Sequence, residues 1–264
     1  MKNSHVLALL LCAAGAAHAA DWSDNAVGYR YAPSQSEPGV SDKVSKNIYS
    51  FTHVSGDKLG MNLFTIDLLR SNGADPANGG VGGAQEFYGF YKRTFSLAAL
   101  ADGPKGWNLS VRFDAGTKNT EFAPAPRKFR PGVSYDVPIA NGFWSVGVDA
   151  YKESNHNGIA KKEVNFDTTW ALTSAWAIPA GNGTFKGFLD VVGPKGKDGF
   201  SDETKTETLL QANYLYNVDG PKGQLKAGVG VEYWRNKFGC NNSTAGVANS
   251  CKATSPLLLV EYHL

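Results

Sequence analysis

The chain has 264 residues, of which 26 are basic and 24 are acidic, so its formal net charge is +2 and its charged fraction is 19%. This balance gives no strong electrostatic field for an anionic membrane surface, and it excludes nucleic acid as a partner. Glycine (30 residues) and aromatic residues (12%) are abundant, while the mean hydropathy is −0.29. That combination excludes a helical membrane bundle and suits a barrel whose strands are apolar on one face only.

The N-terminal segment predicts a cleaved secretory signal. Lys2 precedes an apolar run over residues 6–14, and a small-residue pattern over residues 17–19 follows it. The apolar run is too short for a membrane-spanning helix. We therefore expect residues 1–19 to be removed and residues 20–264 to form one β domain.

The cysteines predict a single disulfide in the mature protein. Cys12 lies in the signal segment, and Leu11 before it is not the small residue that lipid attachment to a cysteine requires. Cys240 and Cys251 remain, and in an oxidising export route such a pair favours a disulfide that closes a short loop. Two cysteines without adjacent histidines do not predict a metal site.

Period-two alternation of apolar and polar residues recurs along the mature chain, and no stretch has convincing helical periodicity. The clearest strand runs from Trp107 to Gly116, where odd-numbered residues are apolar and even-numbered residues are polar or glycine. Residues 128–137 and 225–233 repeat the pattern. One face of each strand is therefore suited to an apolar environment and the other to water.

The lengths of the connections distinguish a membrane barrel from a soluble sandwich, because outer-membrane barrels alternate short periplasmic turns with longer external loops. Short turns are predicted near residues 55–57, 101–104, 138–142, 179–183 and 218–223. Longer polar loops are predicted around residues 32–44, 71–83, 117–126, 154–163, 193–203 and 237–254. The segments between them predict about twelve antiparallel strands, an even number that places both termini on the periplasmic side.

The last strand and the aromatic residues support the same fold. Apolar residues alternate through Tyr262 to Leu264, so this strand is expected to close the barrel against the first one; a terminal aromatic would be the usual ending, and Leu264 departs from it. Aromatic residues at strand ends are expected to anchor the barrel at the membrane interfaces. They include Trp22, Tyr91, Trp107, Trp144, Trp176 and Tyr233.

Several segments resemble the Tsx-type family of nucleoside-specific outer-membrane channels. The resemblance extends over essentially the whole mature chain and is carried, in order, by residues 26–31, 92–97, 130–138, 148–152, 231–234 and 258–264. It implies a twelve-stranded monomeric barrel whose narrow pore passes nucleosides and deoxynucleosides by passive diffusion. It also implies that aromatic side chains stack on the base while charged and amide groups bind the sugar. No short motif transfers individual binding residues to this chain.

The lumen lining follows from the alternation, and in a narrow barrel the inward side chains set selectivity. The predicted solute-binding residues are Arg30, Glu86, Tyr88, Phe90, Lys92, Arg112, Asp114, Lys128, Arg130 and Asp149. Also predicted to point inward are Asp136, Asp167, Lys186, Asp190, Glu232 and Glu261. The mixture of signs predicts no strong ion preference and suits a neutral solute with a ring and hydroxyl groups. The alternative is that these charges pair across neighbouring strands and brace the wall.

The mature chain has no evident catalytic arrangement. His53, His156 and His263 fall near a turn, in an external loop and in the last strand, so we expect them to lie apart and to form neither a serine triad nor a metal site. The glycine-rich residues 79–83 are predicted to be a flexible loop, and the two lysines of residues 193–199 are predicted to be solvated or near lipid headgroups. We expect neither enzyme activity nor a cofactor.

The sequence thus predicts a monomeric barrel of the bacterial outer membrane, with lipid around it and a selective path for small solutes, nucleosides first, inside it. One alternative is a plugged barrel with a structural or surface-attachment role. A soluble periplasmic sandwich is the other, because its strands would show the same alternation.

Overall fold

The computed structural model describes residues 20–221, 223–241 and 250–264, so the predicted signal segment lies outside the described residues. The described chain contains thirteen strands, one short α-helix, α1, at Leu97–Ala101, and one 3₁₀ helix at Lys237–Gly239. The strands are β1 Trp22–Gln35, β2 Val44–Asp57, β3 Gly60–Ser71, β4 Gln85–Ser96, β5 Trp107–Lys118, β6 Arg127–Asp136, β7 Phe143–Asn157, β8 Lys162–Asn165, β9 Thr169–Ala180, β10 Gly183–Val192, β11 Glu207–Asn217, β12 Leu225–Arg235 and β13 Lys252–His263. No helix among these residues has the length and apolar character needed to cross a membrane.

Twelve of these strands form a closed antiparallel barrel, as predicted. Neighbours in sequence pair along the wall, β7 pairs with both β6 and β9, and β13 pairs with β1 from Ala26 opposite His263 to Tyr31 opposite Leu258. Strand β8 pairs with the outer end of β7 only. Residues 154–163, predicted to be a loop, are therefore mostly a β-hairpin that extends the wall, because β7 keeps its pairing beyond the barrel rim.

The connections alternate between the two ends of the barrel as predicted, and with one exception they alternate in length. Five connections lie at one end, at residues 58–59, 97–106, 137–142, 181–182 and 218–224. The exception is the connection at residues 97–106, which contains α1 and is longer than two of the connections at the other end. Six connections lie at that other end, at residues 36–43, 72–84, 119–126, 158–168, 193–206 and 236–251. Strand β1 begins and β13 ends at the end with the short turns, which faces the periplasm in outer-membrane barrels.

The two faces of the wall have opposite character. On β5, Trp107, Leu109 and Phe113 are 43–44% exposed on the outer face, whereas Asn108 and Asp114 are buried in the lumen at 7% and 4%. Since the sheet closes on itself, no second sheet covers the apolar face, and the sandwich alternative is excluded. Aromatic residues are exposed near both rims, among them Trp22, Trp107 and Trp144 at the turn end and Tyr49, Phe87 and Trp170 at the loop end. These two rows match the aromatic belts of membrane barrels.

A cluster of apolar side chains occupies part of the lumen. Ala32, Ile48, Leu215, Leu257 and Leu259 are at most 5% exposed and form one cluster, which arises from β1, β2, β11 and β13. Burying a leucine or isoleucine side chain contributes roughly 1.5–3 kcal/mol, so the cluster stabilises the closed wall. Polar lumen groups lie on all sides of this cluster, for example Arg30 and Asp67, which bind each other, and Glu261, which binds Lys186.

Candidate functional site: the barrel lumen

The central part of the lumen contains a belt of five charged residues, Arg112, Asp114, Arg130, Asp149 and Asp190, which we call the central belt. Arg112 binds Asp114 through two hydrogen bonds of 2.9 and 2.7 Å. Arg130 lies 3.0 Å from Asp149 and donates bonds of 3.2 and 3.0 Å to Asp190. Arg112 is opposite Arg130 in the β5–β6 register, so the three carboxylates hold two like charges side by side.

The central belt links strands that are not neighbours in the wall. Asp190 is on β10, whereas Arg112 and Arg130 are on β5 and β6, and Asp190 lies 3.7 Å from Arg112. The side chains of Arg130 and Asp149 are only 2% and 4% exposed. Removing one member of a buried pair leaves an uncompensated charge, at a cost of about 3–5 kcal/mol. The belt thus joins opposite parts of the barrel across the lumen.

A glycine makes room for this arrangement. Gly132 is opposite Asp149 in the β6–β7 register, and a Cβ atom at Gly132 would lie 2.1 Å from the Asp149 carboxylate oxygen. Only the absence of a side chain lets Asp149 lie against β6 and reach Arg130.

Two aromatic residues of β4 adjoin the central belt, and a cation already covers one face of each. The Arg112 guanidinium lies 4.0 Å from the centre of the Phe90 ring, and the Lys128 ammonium lies 5.1 Å from the centre of the Tyr88 ring. The Tyr88 hydroxyl donates a hydrogen bond of 2.5 Å to Asp114. A solute ring that stacks here would therefore share these aromatic residues with resident cations.

Lys92 differs from its neighbours because no described residue forms a hydrogen bond or an ion pair with its ammonium group. It lies on β4 opposite Arg112, with its side chain on the lumen face. A cation in such a position can bind a polar group of a solute without first breaking a bond within the protein.

A second cluster lies nearer the external loops, and sequence reasoning predicted only one of its members, Glu86. The carboxylate of Glu37, from the β1–β2 loop, is 2.7 Å from Lys46, 2.8 Å from Lys237 and 3.0 Å from Lys118. Glu86 binds Lys46 at 3.0 Å, and Asp75 binds Lys118 at 2.7 Å. We call these six residues the mouth cluster.

The charges of the mouth cluster determine how its loop residues titrate. Burial by itself would raise the pKa of the Glu37 carboxyl, but the charges of Lys237, Lys46 and Lys118 outweigh burial and hold this pKa well below its ordinary value. Burial lowers the pKa of Lys237, and the attraction of Glu37 offsets only part of that effect. Glu37 is therefore a carboxylate over the whole neutral range.

The predicted disulfide positions Lys237. Cys240 and Cys251 are joined, with their Cα atoms 5.9 Å apart, and the Lys237 backbone N–H donates to the Cys251 carbonyl at 2.9 Å. The Lys237 ammonium also lies 4.3 Å from the centre of the Trp234 ring. This covalent link fixes the base of the β12–β13 loop above the lumen.

A third loop enters the lumen, contrary to the sequence-based prediction. Lys195 was predicted to be solvated or near lipid headgroups, but its side chain is 3% exposed, binds Glu153 at 2.5 Å and lies 4.2 Å from the centre of the Phe166 ring. Asp167 was predicted to point into the lumen, but it is an exposed residue of the link between β8 and β9, outside the wall. Loop conformation carries no period-two signal, which explains both errors.

The structure places all ten predicted solute-binding residues on lumen faces, although in three separate groups. Arg30 binds Asp67 at 2.5 Å, away from the central belt, and Glu86 belongs to the mouth cluster. The others lie at or beside the central belt, namely Tyr88, Phe90, Lys92, Arg112, Asp114, Lys128, Arg130 and Asp149. Their contact with a solute stays a prediction.

The three histidines of the described chain lie apart and have separate partners. His53 binds Asn25 and Ser55, at 2.8 and 3.1 Å. His156 binds Glu163 at 2.8 Å, and His263 binds Asp24 at 2.9 Å. Among residues 20–221, 223–241 and 250–264, no three His, Cys, Asp or Glu side chains are grouped as metal ligands.

A closed antiparallel barrel with an apolar outer band, aromatic rows at both rims and a charged interior defines the chain as a bacterial outer-membrane β-barrel. Among solved structures it is similar to the translocator domain of the autotransporter NalP from Neisseria meningitidis, with 11% identity and a TM-score of 0.50 over 98% of this chain and 94% of that one. It is also similar to the KdgM porin, with 10% identity and a TM-score of 0.47 over 90% and 98%. These likenesses concern the fold alone. No protein-family model and no curated protein matches the chain.

Proposed function

We propose that this barrel is a narrow, selective channel for the passive diffusion of small polar solutes across the outer membrane, with nucleosides as the first candidates. The observation that carries the proposal is the central belt, where paired charges of both signs adjoin two aromatic rings and the ammonium of Lys92, which has no hydrogen-bond or ion-pair partner among the described residues. The resemblance of the sequence to the Tsx-type family supports the choice of nucleosides.

The balance of charges supports an uncharged solute. Every carboxylate of the central belt has an arginine within 3.7 Å, so the belt offers hydrogen-bond donors and acceptors without a large net charge. Ribose hydroxyl groups can donate to carboxylates and accept from guanidinium groups, while a base ring packs beside Tyr88 and Phe90.

The width of the barrel supports selectivity by contact. Twelve strands enclose a much narrower space than the 16 to 18 strands of general porins, and the apolar cluster around Leu257 occupies part of it. A solute would therefore pass within reach of the central belt.

Swelling of liposomes that contain the purified barrel tests this proposal. We expect faster entry of adenosine and thymidine than of arabinose or sucrose, and a slower nucleoside rate in Lys92→Met than in wild type. Lys197→Met, which changes an exposed lysine of an external loop, is the matched control. Equal permeation of all four solutes would reject nucleoside selectivity.

The mouth cluster favours a second candidate, a plugged barrel with a structural or surface-attachment role. Glu37 joins Lys118 of β5 to Lys237 of the β12–β13 loop, and this link crosses the lumen from one wall to the other. A folded barrel that stays tight to ions in planar bilayers would favour this candidate over the channel.

A further inference from the structure

Three lysines at the external mouth converge on a single carboxylate. Lys46 and Lys237 bind one oxygen of Glu37 at 2.7 and 2.8 Å, and Lys118 binds the other oxygen at 3.0 Å. The side chains of the lysines are 5%, 2% and 8% exposed. The arrangement is a carboxylate site with donors on both oxygens, built on β2, β5 and the base of the disulfide-closed loop.

Glu37 and the three lysines that bind it belong to different elements. Glu37 lies in the loop at residues 36–43, which β1 reaches through a break in its pairing with β2 between Ala32 and Gln35. Local bonds shape this loop: the Val40 N–H donates to the Glu37 carbonyl at 2.9 Å, and the Lys43 ammonium donates to the Ser36 hydroxyl at 2.7 Å. The loop is also tied to the β12–β13 loop, because the Gly39 N–H donates to the Ser250 hydroxyl at 3.2 Å and the Lys237 ammonium donates to the Ser36 carbonyl at 3.1 Å. Displacing the loop would break these bonds but would not unpair the strands of the wall.

The three lysines differ in what remains when Glu37 leaves. Lys46 keeps Glu86, and Lys118 keeps Asp75. Among the described residues, Lys237 has no other carboxylate partner. The Ser36 carbonyl that it binds lies in the same loop as Glu37, so only its contacts with two aromatic rings remain. A buried ammonium without a counter-ion is costly, so without Glu37 this group is stabilised either by another anion or by loss of its proton.

We propose that Lys46, Lys118 and Lys237 form a binding site for the carboxylate of a small solute, and that Glu37 occupies this site when no solute is bound. The carboxylate of a solute replaces that of Glu37 in the same charge-assisted hydrogen bonds, and the loop at residues 36–43 moves away with Glu37. The binding of a carboxylate is inferred from the geometry of the three lysines alone. The opening of the mouth rests, in addition, on the proposed channel function.

Replacing the resident carboxylate tests the site. In Glu37→Ala the three ammonium groups remain and space for a small anion is created. We expect sodium acetate to raise the thermal unfolding temperature of this variant in detergent, whereas acetamide, its neutral analogue, does not. Sodium chloride at the same ionic strength controls for screening. An equal response to acetate, acetamide and chloride would overturn the proposal.

A double variant and the refolding yield of Glu37→Ala test the same site independently. Glu37→Ala with Lys237→Met removes the orphaned cation together with one donor, and we expect its acetate affinity to fall about tenfold or more relative to Glu37→Ala. If Glu37→Ala does not fold in chloride, refolding in acetate but not in acetamide supports the site. A refolding yield that is the same with and without acetate counts against the site.

Bilayer recordings separate the site from the channel function. We expect Glu37→Ala to conduct more than wild type, because the loop at residues 36–43 has lost its anchor. Acetate should raise the wild-type current by displacing Glu37 and should leave the current of Glu37→Ala high. An ion-tight Glu37→Ala barrel that acetate still stabilises would leave the site standing and remove the channel. A conducting barrel whose stability and wild-type current do not change in acetate would remove the site and leave the channel.

Discussion

Arg130 on β6 binds Asp190 on β10 through two hydrogen bonds, of 3.2 and 3.0 Å, and thereby joins two strands that do not pair in the wall. The Arg130 side chain is 2% exposed and that of Asp190 is 16% exposed, so the link is shielded from bulk water. It divides the polar side of the lumen at mid-depth. Any solute that crosses the barrel must pass this pair or separate it.

Asp190→Asn is expected to weaken this link and change ion selectivity. The substitution removes the carboxylate shared by Arg112 and Arg130, while each arginine keeps one acid, Asp114 or Asp149. The barrel should therefore fold, conduct more and favour chloride over potassium. Reversal potentials in a salt gradient measure the change.

Asp202→Asn is the matched control for that measurement, since Asp202 is exposed in an external loop. It should leave both conductance and reversal potential unchanged. Identical behaviour of the two variants would show that Asp190 does not face the ion path.

Arginine substitutions at two adjacent residues of β5 should have different effects, one on stability and the other on permeation. Val111 is on the lipid face, so Val111→Arg should lower the free energy of unfolding by about 2–4 kcal/mol if the residue lies near the membrane midplane. Ser110 is in the lumen opposite Gly132, so Ser110→Arg should retain the fold and alter permeation. Urea unfolding followed by heat-modifiable gel mobility measures the first effect, and conductance measures the second. Equal destabilisation by both would contradict the assigned faces.

Acid should open the mouth only below the ordinary pKa of a glutamate. The lowered pKa of Glu37 means that its charge stabilises the docked loop above pH 4.5, the ordinary value, and that this stabilisation is lost as the pH falls through the lowered pKa. The charged groups that surround it are Lys46, Lys118 and Lys237, with Glu86 and Asp75 as the other partners of the first two. Current should therefore be constant from about pH 7 to about pH 5 and rise in stronger acid.

Glu37→Gln tests the assignment of that response, because an amide does not titrate in this range. Its current should be high and should not depend on pH between neutrality and acid. A wild-type profile in the glutamine variant would place the response on another group.

Loss of the disulfide should destabilise the barrel near the mouth. The sequence separation of Cys240 and Cys251 is 11 residues, and closing a loop of about this size contributes roughly 2–3 kcal/mol. Cys251→Ser should therefore lower the free energy of unfolding by that amount and, because Lys237 is hydrogen-bonded to residue 251, increase the open time.

Reductant provides the control for this prediction. It should reproduce the effect of Cys251→Ser in the wild type and have no further effect on the variant. Wild-type stability that does not change in reductant would contradict a stabilising role for the bond.

The strands and their faces were predictable because both depend on a local, repeated signal. Alternation in Trp107 to Gly116 assigned Arg112 and Asp114 to the lumen and Phe113 to the lipid, and the structure confirms these assignments. The lengths of the connections gave the number of strands and the two ends of the barrel. The pairing of Cys240 with Cys251 followed from their being the only two cysteines after the predicted signal segment.

The sequence by itself determined that this chain forms a closed membrane barrel with a charged lumen, because period-two patterning and turn spacing are properties of short segments. Only the tertiary structure decided which charges meet. Glu37, Lys195 and Lys237 lie in loops without periodicity, and Asp190 reaches Arg130 across the lumen. Such contacts depend on strand order, on register and on how the loops fold into the lumen. These features are set together when the barrel closes, so no short segment of sequence determines them.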